Sequence, residues 1–326
     1  MTCAELLESL LEPEIEDADE GSSPMLTDAS PPCAETFLLY SQPLPSSDLG
    51  FVDPRARTVE ARVGGVDYTI HQSPGVLSSD RAGGTTGAVL WKISPVFADW
   101  LASPTNFLFS TSLLDRASTI LELGCGISPL NALALARRVA THLLTDQAYV
   151  QRLVQLNIDT NITAAAAAAV TVASTPRSAS RRKSKLTSPQ QPPHNAARVS
   201  FETLDWETDQ LPPRRSYDAV LACDCVYNDA LIAPLVQTCV EACRRRQQRR
   251  RWQEWERDEE TAMSEDKRLR PSLCIVAQQL RDDDVFRAWL AAFVDEFRVW
   301  RVSDDKLPEA LRPSAGFVVH IGILRE

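Results

Sequence analysis

Histidine is scarce in this chain: His71, His142, His194 and His320 are the only four in 326 residues, and they are scattered. They read as surface or packing residues, and no histidine placed for hydride chemistry is legible. None of the eight cysteines forms a Cys-x-x-Cys pair. Cys223 and Cys225 stand too close for a zinc site and Cys239 and Cys243 lie one helical turn apart, so no metal centre is expected and the thiols read as buried and reduced. A surplus of cations is missing too, since 34 Lys and Arg face 44 Asp and Glu for a formal net charge of -10. Phosphate neutralisation needs the opposite balance, which argues against a general nucleic-acid binder and for a cationic partner. No uninterrupted apolar run approaches the roughly 20 residues of a membrane-spanning helix. The first residues, Met1-Thr2-Cys3-Ala4-Glu5, turn acidic at once and lack a basic and apolar leader. The expectation is a soluble intracellular protein without membrane contact, in the cytoplasm, with the nucleus as the alternative.

A hydrophobic content of 44% suffices for one core of ordinary size, so the remainder must be tails or insertions. Residues 1–50 combine a short apolar stripe (Leu6, Leu7, Leu10, Leu11) with acidic, Ser and Pro residues. That composition predicts a mostly disordered, loosely held arm, leaving 51–326 as the folded domain. Around Gly64-Gly65 the alternation of Val59, Ala61, Val63 with Val66, Tyr68, Ile70 signals a hairpin. Residues 87–101 carry helical spacing. From Ser118 a strand-helix series begins. Strands are expected at 118–125, 142–146, 198–204, 217–223, 273–278, 298–302 and 316–324, with helices at 129–139, 149–158, 231–246 and 285–297. The pattern defines an α/β protein with a doubly wound, mostly parallel seven-stranded sheet, an N-terminal hairpin extension and two insertions. The first insertion, about 164–197, is low-complexity Ala, Ser, Arg and Pro. The second, about 244–270, is densely charged, and its Arg244–Arg251 run reads either as a solvated helix face or as a contact for RNA or ribosome, the one place where nucleic-acid contact is foreseen.

The strongest chemical signal is Glu122-Leu123-Gly124-Cys125-Gly126-Ile127-Ser128-Pro129. It falls at a strand-to-helix turn, where glycines let a ligand approach the backbone and the helix start offers free N–H groups. Asp146 ends the next strand about 20 residues on, where a carboxylate accepts from both ribose hydroxyls; as an alternative it caps the following helix. Both features also suit NAD, but Pro129 stands where the third glycine of the dinucleotide fingerprint belongs. The fourth strand ends in Cys223-Asp224-Cys225-Val226-Tyr227. A carboxylate and a phenol three residues apart at the carboxyl end of a central parallel strand face the ligand crevice of such sheets. Helix capping by Asp224 and packing by Tyr227 are the alternatives.

With Glu-Leu-Gly-Cys-Gly at 122–126, Thr145-Asp146-Gln147, Leu204-Asp205-Trp206-Glu207, Asp224-Cys-Val-Tyr227 and Leu90-Trp91-Lys92, the chain resembles methyltransferase family 16, the seven-strand protein-lysine methyltransferases. The Asp-Cys-Val-Tyr-Asn wording, the insertion before Leu-Asp-Trp and the long arm look most like its fungal ribosomal lysine N-methyltransferase 5 group. The resemblance covers roughly 86–324 without the insertions and implies a class I S-adenosylmethionine-dependent fold. It places Trp91 against the cofactor, Glu122, Gly124, Cys125 and Gly126 around its amino-acid and ribose portion, and Asp146 on the ribose. Trp206 would lie along the adenine, Ala222 would offer backbone, and Asp224 and Tyr227 would stand at the methyl-transfer mouth, with Asp224 capturing the incoming lysine. Core packing is the alternative for both tryptophans. The partner implied is a basic ribosomal protein of the large subunit, of the L1 type. Other readings are a methyltransferase for a chaperone, an elongation factor, a small molecule or a nucleic acid, an NAD-dependent dehydrogenase, or a catalytically silent interaction module. The Asn/Asp-Pro-Pro-aromatic signature of nucleic-acid amino-methylation is missing.

Overall fold

A computed structural model describes residues 2–15, 34–45, 48–81, 84–171, 198–213, 215–255 and 270–325. In chain order the elements begin with α1 (Cys3–Leu10), β1 (Glu14–Ile15), α2 (Ala34–Tyr40), the hairpin strands β2 (Thr58–Val63) and β3 (Val66–His71), α3 (Pro74–Leu77), α4 (Ile93–Ala102) and α5 (Phe107–Ser110). The alternating part follows as β4 (Thr119–Leu123), α6 (Leu130–Leu135), β5 (Thr141–Asp146), α7 (Gln151–Thr171), β6 (Arg198–Thr203), β7 (Ala219–Cys223) and α8 (Ile232–Trp255). It closes with β8 (Leu273–Gln279), α9 (Asp283–Glu296), β9 (Phe297–Arg301) and β10 (Phe317–Leu324).

All seven anticipated strands form, in the order β9-β10-β8-β7-β4-β5-β6. β4 pairs in parallel with β5 and β7, and β10 is antiparallel to both β8 and β9. An eighth strand, β1, extends the β9 edge with Glu14 opposite Trp300. Both faces of the sheet are covered, and period-two alternation sorts the side chains between two cores. Val220, Ala222, Cys274 and Val276 point to the layer that holds Cys239 and Val240 of α8 and Trp289 and Phe293 of α9. Ala219, Leu221, Cys223 and Ile275 point to the other, with Ile93 and Phe97 of α4 and Leu7 of α1.

The hairpin turns through Gly64 and Gly65, both at positive φ (59° and 79°), as the two central positions of a type I′ turn require. Its β3 edge is occupied by side chains of α7. Asn157 accepts from His71 N–H at 2.8 Å and donates to the His71 carbonyl at 3.0 Å, and Asn161 does the same for Thr69 at 2.9 and 2.8 Å. Side-chain amides thus satisfy a sheet edge and fix the hairpin on the domain.

Three expectations are revised. The first residues of the arm are packed: Leu7 is fully buried beside Leu11, because the apolar stripe of α1 finds an open face of the sheet. Arg298 reaches back to Glu8 and Glu14, which ties β1 to β9. Helix α7 continues to Thr171, so the first residues of the Ala-rich insertion are helical, as alanine favours; residues 172–197 lie outside the described residues. Helix α8 likewise runs into the charged segment, of which 256–269 lie outside the described residues. Within its Arg run, Arg246 pairs with Asp218 at 2.6 Å, Arg245 bonds the Leu211 and Pro212 carbonyls, and Arg249 bonds Ser216 at 3.1 Å. Those three arginines brace the domain. Among the described residues no helix is long and apolar enough to cross a membrane.

Leu7→Ala should cost about 2–4 kcal/mol of stability, read as a lower urea midpoint; an unchanged midpoint would restore the loosely held arm.

Candidate active site

Because β4, β5 and β7 run the same way, their carboxyl ends open on one edge of the sheet, and there the chain forms a cleft of about 450 Å³. Its floor is the glycine bend after β4. Gly124 and Gly126 have φ of 64° and 57°, the left-handed region that strains any residue with a Cβ. Space is restricted as well. A Cβ on Gly124 would stand 2.7 Å from Cys225 Sγ and 3.0 Å from the Trp206 ring, and one on Gly126 would stand 3.1 Å from the Gly87 carbonyl oxygen. The bend is held from below by the Cys225 thiol, 3.2 Å from the Leu123 carbonyl, and by Cys125 N–H, which donates to the Thr145 carbonyl at 3.1 Å.

Asp146 sits at the end of β5 facing the bend. Its carboxylate accepts from Gly126 N–H at 2.8 Å and Gln147 N–H at 2.7 Å. Burial nevertheless pushes its carboxyl up to about 6, outweighing those two bonds and the Arg81 charge nearby. Glu122, almost fully buried, accepts from Asn131 at 2.8 Å and lies 2.8 Å from His142 Nε2. Both carboxylates line the cleft, and Asp205, Glu207 and Asp224 add three more; no Lys, Arg or His is among the lining residues. Burial also raises the Cys125, Cys223 and Cys225 thiols well above their ordinary range, so none offers a thiolate nucleophile at neutral pH.

Trp91, Trp206, Asp224 and Tyr227 line the same cleft. Trp91 Nε1 donates to the Thr86 carbonyl at 3.0 Å, while Trp206 Nε1 is hidden from solvent and finds no acceptor among the described residues. The Tyr227 hydroxyl lies 3.4 Å from Thr86 Oγ1, and burial raises its phenol, which stays protonated at neutral pH. Of the anticipated site residues only Ala222 is not among those lining the cleft; its side chain packs into the α8/α9 core, while the neighbouring Cys223 lines the cleft. Asp224 also departs from the picture of a free carboxylate awaiting an ammonium. Its backbone has φ of 61°, and Arg281 takes both carboxylate oxygens at 2.8 and 2.7 Å. Asp224 is therefore already paired.

Two features escaped the sequence reading. The segment before Trp91 was expected to be helical from residue 87, but Gly87 lies on the bend, accepting from Ile127 N–H at 2.9 Å and donating to the Tyr149 hydroxyl at 2.9 Å. A Gly at 87, where side-chain-free backbone meets side-chain-free backbone, was the available signal. Arg281 had none, being 57 positions from its partner.

A mostly parallel sheet with its last strand reversed and a glycine bend at the first strand end is the class I S-adenosylmethionine-dependent methyltransferase fold. A family model described as lysine methyltransferase matches residues 168–253, which span Leu204-Asp-Trp, β7 and the Asp-Cys-Val-Tyr corner. Among curated relatives, the ribosomal lysine N-methyltransferase 5 of Zygosaccharomyces rouxii is 29% identical over 203 residues, covering 53% of this chain and 59% of that protein. Its namesake from Candida glabrata is 25% identical over 263 residues, covering 67% and 66%. A diaminohydroxyphosphoribosylamino-pyrimidine deaminase of Schizosaccharomyces pombe is 28% identical over 206 residues, covering 62% of this chain and 42% of that protein. The match to that protein covers less than half of its length. The chain spans less than two thirds of the length of each of these relatives. Over the matched residues the chain is similar to the lysine methyltransferase family.

S-adenosylmethionine is the cofactor of that family, and the cleft fits it on three counts. The glycine bend leaves no Cβ in the way, the buried Trp206 Nε1 lacks an acceptor among the described residues, and five carboxylates with no Lys, Arg or His among the described lining residues suit a sulfonium and an ammonium.

Gly124→Ala should destabilise the fold by about 1–3 kcal/mol, since the new Cβ meets both strain and Cys225. Thermal unfolding would register it, and a melting temperature equal to the wild type's would remove the bend's conformational requirement.

Proposed function

We propose that the chain is an S-adenosylmethionine-dependent protein-lysine N-methyltransferase acting on a basic protein of the large ribosomal subunit, of the L1 type. The observation that carries the reading is the charge of the cleft: five carboxylates line it, of which Asp224 is paired with Arg281, and no Lys, Arg or His is among the described lining residues. A pyrophosphate-bearing dinucleotide would meet repulsion there, and Gly126 N–H, a natural donor to such an anion, is already bonded to Asp146. A cationic cofactor and a cationic substrate meet attraction. The names of the relatives supply the ribosomal class of substrate.

When bound, the cofactor supplies a methyl group activated by a positive sulfur, so the chain's own task is to position an amine and exclude water. Asp146 would accept from the ribose hydroxyls, Trp206 and Trp91 would flank the aromatic and amino-acid portions, and Glu122 would face the ammonium end. Tyr227, about 40% exposed at the rim and protonated, would guide the lysine by its hydroxyl and ring. The lysine has to arrive neutral, which from an ordinary pKa near 10.4 costs about 4–5 kcal/mol at pH 7. The nearby positive sulfur reduces that cost.

Long-range attraction fits the same partner. An acidic protein draws in a basic ribosomal one at a rate that falls with salt.

Incubating the protein with methyl-labelled S-adenosylmethionine and a large-subunit protein fraction should label one basic protein on lysine. Label on RNA, or on no protein at all, would sink the reading. The raised Asp146 carboxyl gives a second handle. Ribose hydroxyls bond its ionised form, so cofactor affinity should be level above about pH 7 and fall as pH drops below the free-protein value of about 6. Asp146→Asn should bind roughly ten- to a hundredfold more weakly and lose that pH dependence; calorimetry at pH 5, 6 and 7.5 reads both, and a wild-type affinity in the variant would remove Asp146 from the ribose.

A further inference from the structure

Arg281 holds one wall of the cleft without lining it. Its guanidinium bonds Asp224 in bidentate fashion at 2.8 and 2.7 Å, donates from Nε to the Leu49 carbonyl at 3.1 Å and from Nη2 to Gln279 at 3.0 Å, and lies 4.9 Å over the Trp91 ring. Two of those partners, Asp224 and Trp91, face the ligand space. The segment before Trp91 is seated on the same group. A Cβ on Gly50 would stand 2.1 Å from Gln279 Oε1 and 2.7 Å from Arg281 Nη2, and Phe51 packs on Trp91 at 4.5 Å. Asp224 is aimed at the guanidinium by a left-handed backbone, its N–H donating to the Ala277 carbonyl at 2.7 Å. A strained conformation that turns a carboxylate toward an internal cation calls for a function.

We propose that Arg281 is a positioning residue for methyl transfer: it fixes Asp224 and Trp91 in the wall and cancels the Asp224 charge, so that the lysine amine at the Tyr227 mouth is not held as an ammonium. The proposal rests on the lysine methyltransferase reading. An ionised carboxylate beside the mouth would raise the lysine pKa and stabilise the unreactive, protonated form. A net-neutral pair still shapes the wall and accepts hydrogen bonds, and the ammonium proton is free to leave to water.

The other groups around Asp224 do not replace this cancellation. Cys223 and Cys225 flank it and stay protonated, as does Tyr227. Glu122 and Asp146 lie across the cleft and are both negative when ionised, and Asp282, Asp283 and Asp284, which follow Arg281, are exposed. Lys92, next to Trp91, pairs with Asp48.

The test needs no substrate, because S-adenosylmethionine carries a positive sulfur and S-adenosylhomocysteine a neutral one. Their dissociation constants, measured by calorimetry at neutral pH, give a ratio that reports the charge at the methyl site. Arg281→Gln should shift that ratio roughly tenfold toward S-adenosylmethionine, Asp224→Asn should shift it the opposite way, and Arg281→Lys and the neutral double variant Asp224→Asn/Arg281→Gln should leave it as in the wild type. If Arg281→Gln fails to fold, the Asp224→Asn shift and its reversal in the double variant carry the same information. The labelling rate of Arg281→Gln on the large-subunit protein fraction should recover as pH is raised by about one unit. Ratios equal in all variants would overturn the proposal while leaving the methyltransferase reading in place. A wild-type protein that binds neither ligand would overturn both.

Discussion

The parallel pairing of β4 between β5 and β7 is the constraint on which the site depends. Three strand ends that point the same way open on one edge, and each brings an acid there: Glu122 near the end of β4, Asp146 at the end of β5 and Asp224 just after β7. Were any of the three strands reversed, its acid would emerge at the far edge of the sheet. Topology therefore assembles the charge pattern before any ligand is present.

That charge is managed differently at each position. Glu122 accepts from Asn131 and lies against His142 deep beside the bend, where it braces β4, β5 and α6. Asp146 has only backbone donors, and its burial leaves it protonated at mildly acidic pH, so it is the acid most readily altered by a ligand's hydroxyls. Asp224 has a full counter-charge in Arg281. The bend itself is a contact between backbones: Gly87 on Gly126, with Cys225 beneath Gly124, so that side chains are excluded where a ligand would lie closest.

Much of this was legible in the residues. Buried parallel strands announce themselves as apolar runs, and each of the seven could be placed from such a run, as could the glycine turn and the acids that follow strands. What was not legible needed information from far along the chain. A two-residue strand such as β1 has no period to detect, and Leu7 looks like part of a polar arm until the face of β9 that receives it is known. Arg281 is an unremarkable arginine in a loop until β7 and β8 are set side by side.

The arm's short strand also says something about how the molecule is completed. Glu14 meets Arg298, 284 positions later, so the contact closes a long loop of chain. Such a closure carries a large ordering entropy and joins only after the intervening sheet exists. Until β1 docks, the backbone of β9 presents unpaired N–H and C=O groups to any neighbouring chain, an opening for edge-to-edge association that the finished protein seals with two residues.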